Sequence, residues 1–205
     1  CERELDMLLP IIRPHDVIID VGANIGTHAV PFARKVGPGG FVYAFEPQRT
    51  IFQTLCANLS LNCLLNVKCL MVGAGKQRGT LKIPVLDPEA EQNFGAVKIE
   101  NFTEGETTDI ISLDSLSLQR CRLIKIDVEG MESEVLLGAT ETIKRLRPVL
   151  FVENNTEAGS EETIRNVLDM NYRSWWQIAP YFNPDNYFGC DENIFSRFQP
   201  EANLL

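Results

Sequence analysis

The sequence predicts an α/β fold with a mostly parallel central sheet covered by helices on both faces. Three observations carry this. Apolar runs of strand length, "VIIDVG" from Val17, "FVYAF" from Phe41 and "NVKCLMVG" from Asn66, alternate with segments of helical periodicity. The connections are short and the runs continuously apolar, as in strands buried on both faces. The first two runs also end in acids, Asp20 and Glu46, at the strand ends where open parallel sheets bind ligands.

The elements follow in order. After the first strand, Ala29, Phe32, Ala33 and Val36 form a helical stripe in a helix that starts near Thr27. Pro31 then falls in the first turn, where its missing N–H is harmless. "GPGG" at 37–40 is a break. The second strand ends at Glu46 and Pro47, and Ile51, Phe52, Leu55, Cys56 and Leu59 share one face of the next helix. Residues 74–113 interrupt the rhythm with "GTLKIPV", "FGAVKIE" and "TTDIISL", short and partly alternating, and predict an inserted β-hairpin region. "RLIKID" at 122–127 resumes the buried-strand pattern. "ESEVLLGATETIKRL" predicts one helix with Leu136, Ala139, Ile143 and Leu146 as its stripe, and Pro148 opens the strand "VLFVE". Ser160 is the expected N-cap of "SEETIRNVLDMN". "YRSWWQI" predicts a further strand and "ENIFSRF" the last. With no repeat and no low-complexity linker, residues 1–205 are expected to form a single domain.

The chain has 205 residues, 44% hydrophobic and 23% charged, which suffices for a full core without metal or disulfide. Its formal charge of −9 is opposite in sign to a general nucleic-acid binder, so no nucleic-acid partner is expected. No apolar run reaches the length of a membrane span, and no leader pattern follows Cys1; the absence of an initial Met leaves room for an upstream segment. The six cysteines form no CxxC pair, and several sit among apolar neighbours, as in "TLCANL". They point to free thiols in a reducing, cytoplasmic setting.

Four segments fall at predicted strand ends: "DVGANIG", "FEP", "IDVEG" and "VENN". A dinucleotide site prefers GxGxxG, so that pyrophosphate can rest on a helix N-terminus. Here Gly22 and Gly26 are spaced GxxxG, Asn24 lies between them, and Asp20 stands just before the loop. An acid there disfavours pyrophosphate and suits a cationic ligand such as S-adenosylmethionine, with its sulfonium and ammonium. Glu46, ending the second strand, is placed to accept both ribose hydroxyls. The expected cofactor residues are Asp20, Gly22, Ala23, Asn24, Gly26, Glu46, Pro47 and Asp127.

"VIIDVGANIG", "AFEP", "SLDSL" and above all "LIKIDVEGMESEVLLGA" resemble the FkbM-type S-adenosylmethionine-dependent methyltransferases, from about residue 15 to the C-terminus. Met131 and Ser133, flanking Glu132, depart from the family pattern. The tail "YFNPDNYFGCDENIF" is similar to members that act on sugar-containing substrates. The resemblance implies a Rossmann-like class I methyltransferase fold, O-methylation of a hydroxyl, and a small-molecule or glycan acceptor.

A hydroxyl is a weak nucleophile, so a base or a metal is expected beside it. His15 lies away from the ligand edge; His28, in the first turn after the loop, is either a helix-start residue or within reach of the cofactor. Asp127 and Glu129, in "DVEG" with Gly130 permitting a sharp turn, are the expected catalytic pair, one as base and the other orienting the acceptor. Alternatively, Asp127 positions the cofactor and Glu129 caps the next helix. A less favoured variant places Mg²⁺ on Asp127, Glu153 and Asn154. Lys125 shares a strand face with Asp127. Trp175, Trp176, Tyr181, Phe182 and Tyr187 offer aromatic faces for a sugar ring, or core packing. The competing functions are an NAD(P)-dependent oxidoreductase, disfavoured by GxxxG and Asp20, and a catalytically silent cofactor-binding module.

Overall fold

The computed structural model describes residues 2–85, 104–155, 157–186, 188–197 and 200–205. Along the chain, α1 (Glu2–Leu8) precedes β1 (Val17–Val21), α2 (Ala29–Val36), β2 (Phe41–Phe45), α3 (Arg49–Leu61) and β3 (Val67–Leu70). Short strands β4 (Gly73–Ala74), β5 (Gly79–Ile83) and β6 (Glu106–Ile111) follow, then a 3₁₀ turn (Leu113–Leu116). The remaining elements are β7 (Leu123–Ile126), α4 (Glu132–Leu137), α5 (Thr140–Leu146), β8 (Val149–Glu153), α6 (Glu157–Asp169), β9 (Trp176–Ala179) and β10 (Glu201–Leu204).

Seven strands form one sheet in the order β3-β2-β1-β7-β8-β10-β9. The first five pair in parallel, and β10 runs antiparallel to both β8 and β9. Chain order reverses between β1 and β7, the place where open sheets of this kind bind ligands. β4, β5 and β6 make a separate three-stranded sheet in which β5 and β6 are antiparallel, as the hairpin expectation required. The "FGAVKIE" stretch lies outside the described residues.

Strand alternation explains how both faces can be apolar. Ile18, Val42, Leu123 and Phe151 pack with Leu8, Phe32 and Val36 on one face. Ile19, Val21, Ile124, Ile126 and Val152 pack with Val135, Leu136 and Ile143 on the other. Burying each large aliphatic side chain contributes roughly 1.5–3 kcal/mol. Side chains repeat every second residue. The face that holds Ile18 therefore receives Asp20, that of Leu123 receives Lys125 and Asp127, and that of Phe151 receives Glu153. The charged strand ends are gathered under α1 and α2 by parity alone.

Three local expectations are corrected. The single helix over 132–146 is two, broken at Gly138, where a Cβ would lie 2.0 Å from the Gly75 carbonyl oxygen. Asp114 explains the restart, because its carboxylate accepts the N–H groups of Glu141 at 3.0 Å and Thr142 at 2.7 Å. Ser160 is not an N-cap: α6 begins at Glu157, and Ser160 accepts a hydrogen bond from the Asn154 amide. "ENIFSRF" forms no strand over its described residues; the last strand is "EANL", fixed by Leu204 pairing with Val152 on one side and Trp176 on the other. The sequence reading also missed α1, whose Leu8 is fully buried. No helix among the described residues is long and apolar enough to cross a membrane.

Candidate active site

The glycine loop is held by backbone geometry. Gly22 has φ +75, and a Cβ on it would stand 1.7 Å from the Asp127 carbonyl oxygen. The loop therefore closes directly onto the end of β7, so this glycine is required by the protein's own backbone before any ligand arrives. Ala23 belongs to the fold: its side chain is buried against Ala44 and Leu55, and its N–H donates to the Phe45 carbonyl at 2.9 Å. Gly26 faces Leu55 of α3 and donates to the Ala23 carbonyl. Asn24 has φ +50, a conformation asparagine tolerates better than most residues, and its side-chain oxygen accepts the N–H of Ile25.

Glu46 is 4% exposed and clasps the loop from β2. Its Oε2 accepts the Asn24 N–H at 3.0 Å and its Oε1 accepts the Gln48 N–H at 2.9 Å. Burial raises its pKa to about 7, against the lowering effect of those two N–H groups and Lys125. Each carboxylate oxygen keeps a second acceptor site, so both can still receive hydroxyl donors. Beyond Glu46 lies a cleft bounded by Pro47, Arg49, Met71, Ile83, Glu106 and Thr108. The Arg49 Nε donates to both Glu106 oxygens, at 2.8 and 3.0 Å. The sequence reading found Pro47 and missed the rest of this cleft, since it joins α3 to β6 across 57 residues.

Between β1 and β7, Asp20 stands opposite Lys125 in register. The Lys125 Nζ is 3.2 Å from Asp20 Oδ1, 3.2 Å from Asp127 Oδ2 and donates to the Gly22 carbonyl at 2.8 Å. Asp20 is fully buried, and neither of its oxygens accepts a well-aligned hydrogen bond; the ammonium attracts it by charge.

Beyond the ends of β7 and β8, carboxylate oxygens of Asp127, Glu129 and Glu153 lie within 4.8 Å of one another. Glu129 has φ +53 and Gly130 φ +104, which makes the sharp turn expected of "DVEG". A non-glycine residue in that region costs about 1–2 kcal/mol. Glu132 serves the turn: its Oε1 accepts the N–H groups of Gly130 at 3.0 Å and Val128 at 3.4 Å. Burial, together with the charge of Asp127 and a hydrogen bond to it, pushes Glu153 up to about 9. At neutral pH Glu153 holds a proton beside the Asp127 carboxylate. Asn154, considered with Asp127 and Glu153 for Mg²⁺, donates its side-chain N–H to Ser160 Oγ at 2.9 Å. The three carboxylates that do converge make an oxygen set of the kind a hard cation takes.

His28 is buried behind the loop, with its Nε2 3.2 Å from Glu4 Oε2 of α1. Glu4 also accepts from the Asn203 amide at 3.0 Å. Of the tail aromatics, Trp175 and Trp176 are both more than half exposed, which excludes core packing for either. Tyr181 follows the carboxyl end of β9, on the edge where β8 ends in Glu153, with its ring centroid 6.1 Å from that of Phe195. Tyr187 lies outside the described residues.

A seven-stranded sheet with one late antiparallel strand, a glycine loop after β1 and an acid after β2 define the class I methyltransferase fold. The chain belongs to the methyltransferase FkbM domain family, whose sequence model matches residues 20–177. It is 31% identical over 186 residues to methyltransferase sdnD of Sordaria araneosa, covering 74% of this chain and 71% of that protein. It is 34% identical over 149 residues to the hexuronic acid methyltransferase AglP of Haloferax volcanii, covering 70% of this chain and 58% of that one. Among solved structures, the methyltransferase FkbM from Methylobacillus flagellatus superposes with a TM-score of 0.61 at 20% identity, over 93% of this chain and 43% of the other. The chain thus spans less than half of that solved protein and somewhat more than half of the archaeal relative.

Proposed function

We propose that this chain, as one catalytic domain, transfers the methyl group of S-adenosylmethionine to a hydroxyl oxygen on a sugar-containing or other small-molecule acceptor. The observation that carries the cofactor assignment is the charge beside the glycine loop. Two carboxylates, Asp20 and Asp127, surround one ammonium, Lys125, and leave a net negative charge. That suits a sulfonium and an α-ammonium and repels the pyrophosphate of a nicotinamide dinucleotide. The ionised Glu46 then accepts the ribose hydroxyls, and the apolar walls of Pro47, Met71 and Ile83 suit a purine ring. Family membership and the sugar-acting archaeal relative support the acceptor class.

The transfer is an in-line displacement. The acceptor oxygen bonds to the methyl carbon as the carbon–sulfur bond breaks, and S-adenosylhomocysteine leaves. The hydroxyl proton passes to a carboxylate of the Asp127, Glu129 and Glu153 group and from there to water. Glu129 is the proposed base and Asp127 orients both substrates. Holding the oxygen against the methyl carbon supplies much of the acceleration.

The test is a calorimetric titration with S-adenosylhomocysteine followed by methyl-labelled cofactor with neutral sugars, uronic acids and small alcohols, each with and without EDTA. One cofactor site per chain and label on a hydroxyl, undiminished by EDTA, are expected. Binding of NAD(H) in place of S-adenosylhomocysteine overturns the cofactor assignment. Cofactor binding without turnover of any acceptor favours the silent module, and loss of turnover in EDTA restores the metal variant.

A further inference from the structure

Lys125 is a buried ammonium with three oxygen neighbours from three segments. These are Asp20 on β1, the Gly22 carbonyl in the loop and Asp127 after β7. Burial alone lowers the lysine pKa, and the charges of Asp127 and Asp20 more than offset that, leaving it above the ordinary value. Lys125 is therefore a fixed cation.

A counter-ion for Asp20 alone needs only one partner. Lys125 also takes a peptide carbonyl, and the neighbouring Ala23 N–H is tied to the Phe45 carbonyl, so the Gly22–Ala23 peptide is held at both ends. Gly22 cannot shift towards β7, because its backbone already rests against the Asp127 carbonyl. Asp127, by contrast, is 41% exposed at its side chain and is steadied by the ammonium. One cation thus ties the loop that receives the cofactor to the acid that faces the acceptor. The charged groups around it are Asp20, Asp127 and, at longer range, Glu46.

We propose that Lys125 is a positioning residue that holds the Gly22 peptide and the Asp127 carboxylate where they receive the methionine half of the cofactor. This rests on the methyltransferase reading above. It predicts a loss confined to that half of the ligand, which a general packing defect would not produce.

The experiment compares two probes by calorimetry: S-adenosylhomocysteine, which has the amino-acid half, and 5′-methylthioadenosine, which lacks it. Lys125→Gln keeps a polar side chain and removes the charge. Because it strands the buried Asp20, the paired variant Lys125→Met with Asp20→Asn is measured beside it, with circular dichroism and melting curves to confirm folding. Each folded variant is expected to bind S-adenosylhomocysteine about tenfold more weakly, the loss of a charge-assisted contact, and methylthioadenosine within about twofold of the unsubstituted chain. Equal weakening of both ligands in a folded variant overturns the proposal and leaves Lys125 a structural counter-ion. If the unsubstituted chain binds neither ligand, the cofactor assignment itself falls and takes this proposal with it.

Discussion

The two sides of the site are built by different means. On the side of β1, β2 and β7, Asp20, Glu46 and Lys125 are each less than 5% exposed. Glu46 reaches a loop N–H, Lys125 reaches a loop carbonyl, and Gly22 has no room for a side chain. On the β8–β9 side, the acids are half-buried, Glu129 sits in a left-handed conformation, and Tyr181 and Phe195 stand in water. The first side is rigid before any ligand arrives. The second leaves more of its surface exposed.

Substituting on the rigid side should therefore damage the fold first. Gly22→Val carries the largest expected effect. Its Cβ would overlap the Asp127 carbonyl, and a β-branched residue at positive φ is strained in addition. A loss of about 4 kcal/mol or more in chemical denaturation is expected, enough to unfold many domains. A variant that keeps its stability and loses only cofactor affinity would break the comparison, because the glycine would then be clearing space for ligand rather than for backbone.

On the open side, Glu129→Gln should leave the melting temperature and cofactor affinity unchanged. Its single-turnover rate is expected to fall by about 10²–10⁴, the range for a general base. Asp127→Asn should lower both affinity and rate, since Asp127 also contacts Lys125. Near-normal turnover in Glu129→Gln would move the base to Asp127 or Glu153.

The same contrast explains what the sequence disclosed. The parallel sheet and the strand-end acids were legible because continuous apolar runs and i, i+2 parity are local properties. Gly138 was not legible as a helix break, because its constraint comes from Gly75, brought near by the fold. Glu4 of α1 was missed for the same reason: its partners His28 and Asn203 lie far along the chain. "EANL" is too short and too polar to announce a strand, and it becomes one because β8 and β9 leave a place between them. The motif "DVEG" pointed to Asp127 and Glu129, and the end of "VLFVE" to Glu153, which the β7–β8 pairing sets beside Asp127.

Glu46 sharpens the comparison at an intermediate scale. Glu46→Gln should weaken S-adenosylhomocysteine by about 1.5–3 kcal/mol, the worth of hydrogen bonds to a charged group. Its pKa in the fold is raised from 4.5 to about 7. The stability it contributes is thus fully present below pH 4.5 and is lost as pH rises through about 7. Ribose hydroxyls donate best to the ionised form, so affinity should rise over that upper range while Glu46's share of stability falls. Titrations and melting curves between about pH 6 and pH 8 measure both. In Glu46→Gln the affinity should become flat with pH over this window, and a slope that persists would assign the titration to another acid, such as Glu153.

The smallest effects separate two kinds of exposed aromatic residue. Trp175 precedes β9, whereas Tyr181 follows its carboxyl end, the edge on which β8 places Glu153. Both side chains are about half exposed or more, so replacing either with alanine should change stability by no more than about 0.5–1 kcal/mol. Their effects on the acceptor should differ. A ring at position 181 can lie against the apolar C–H face of a sugar, and stacking of this kind contributes about 0.5–1.5 kcal/mol. Tyr181→Ala should therefore raise the acceptor KM by roughly threefold to tenfold at unchanged kcat, the signature of lost ground-state binding. Trp175→Ala should leave both constants where they were. Equal responses from the two variants would show that the acceptor does not extend along the carboxyl edge past β9, and would confine its binding to the carboxylates of β7 and β8.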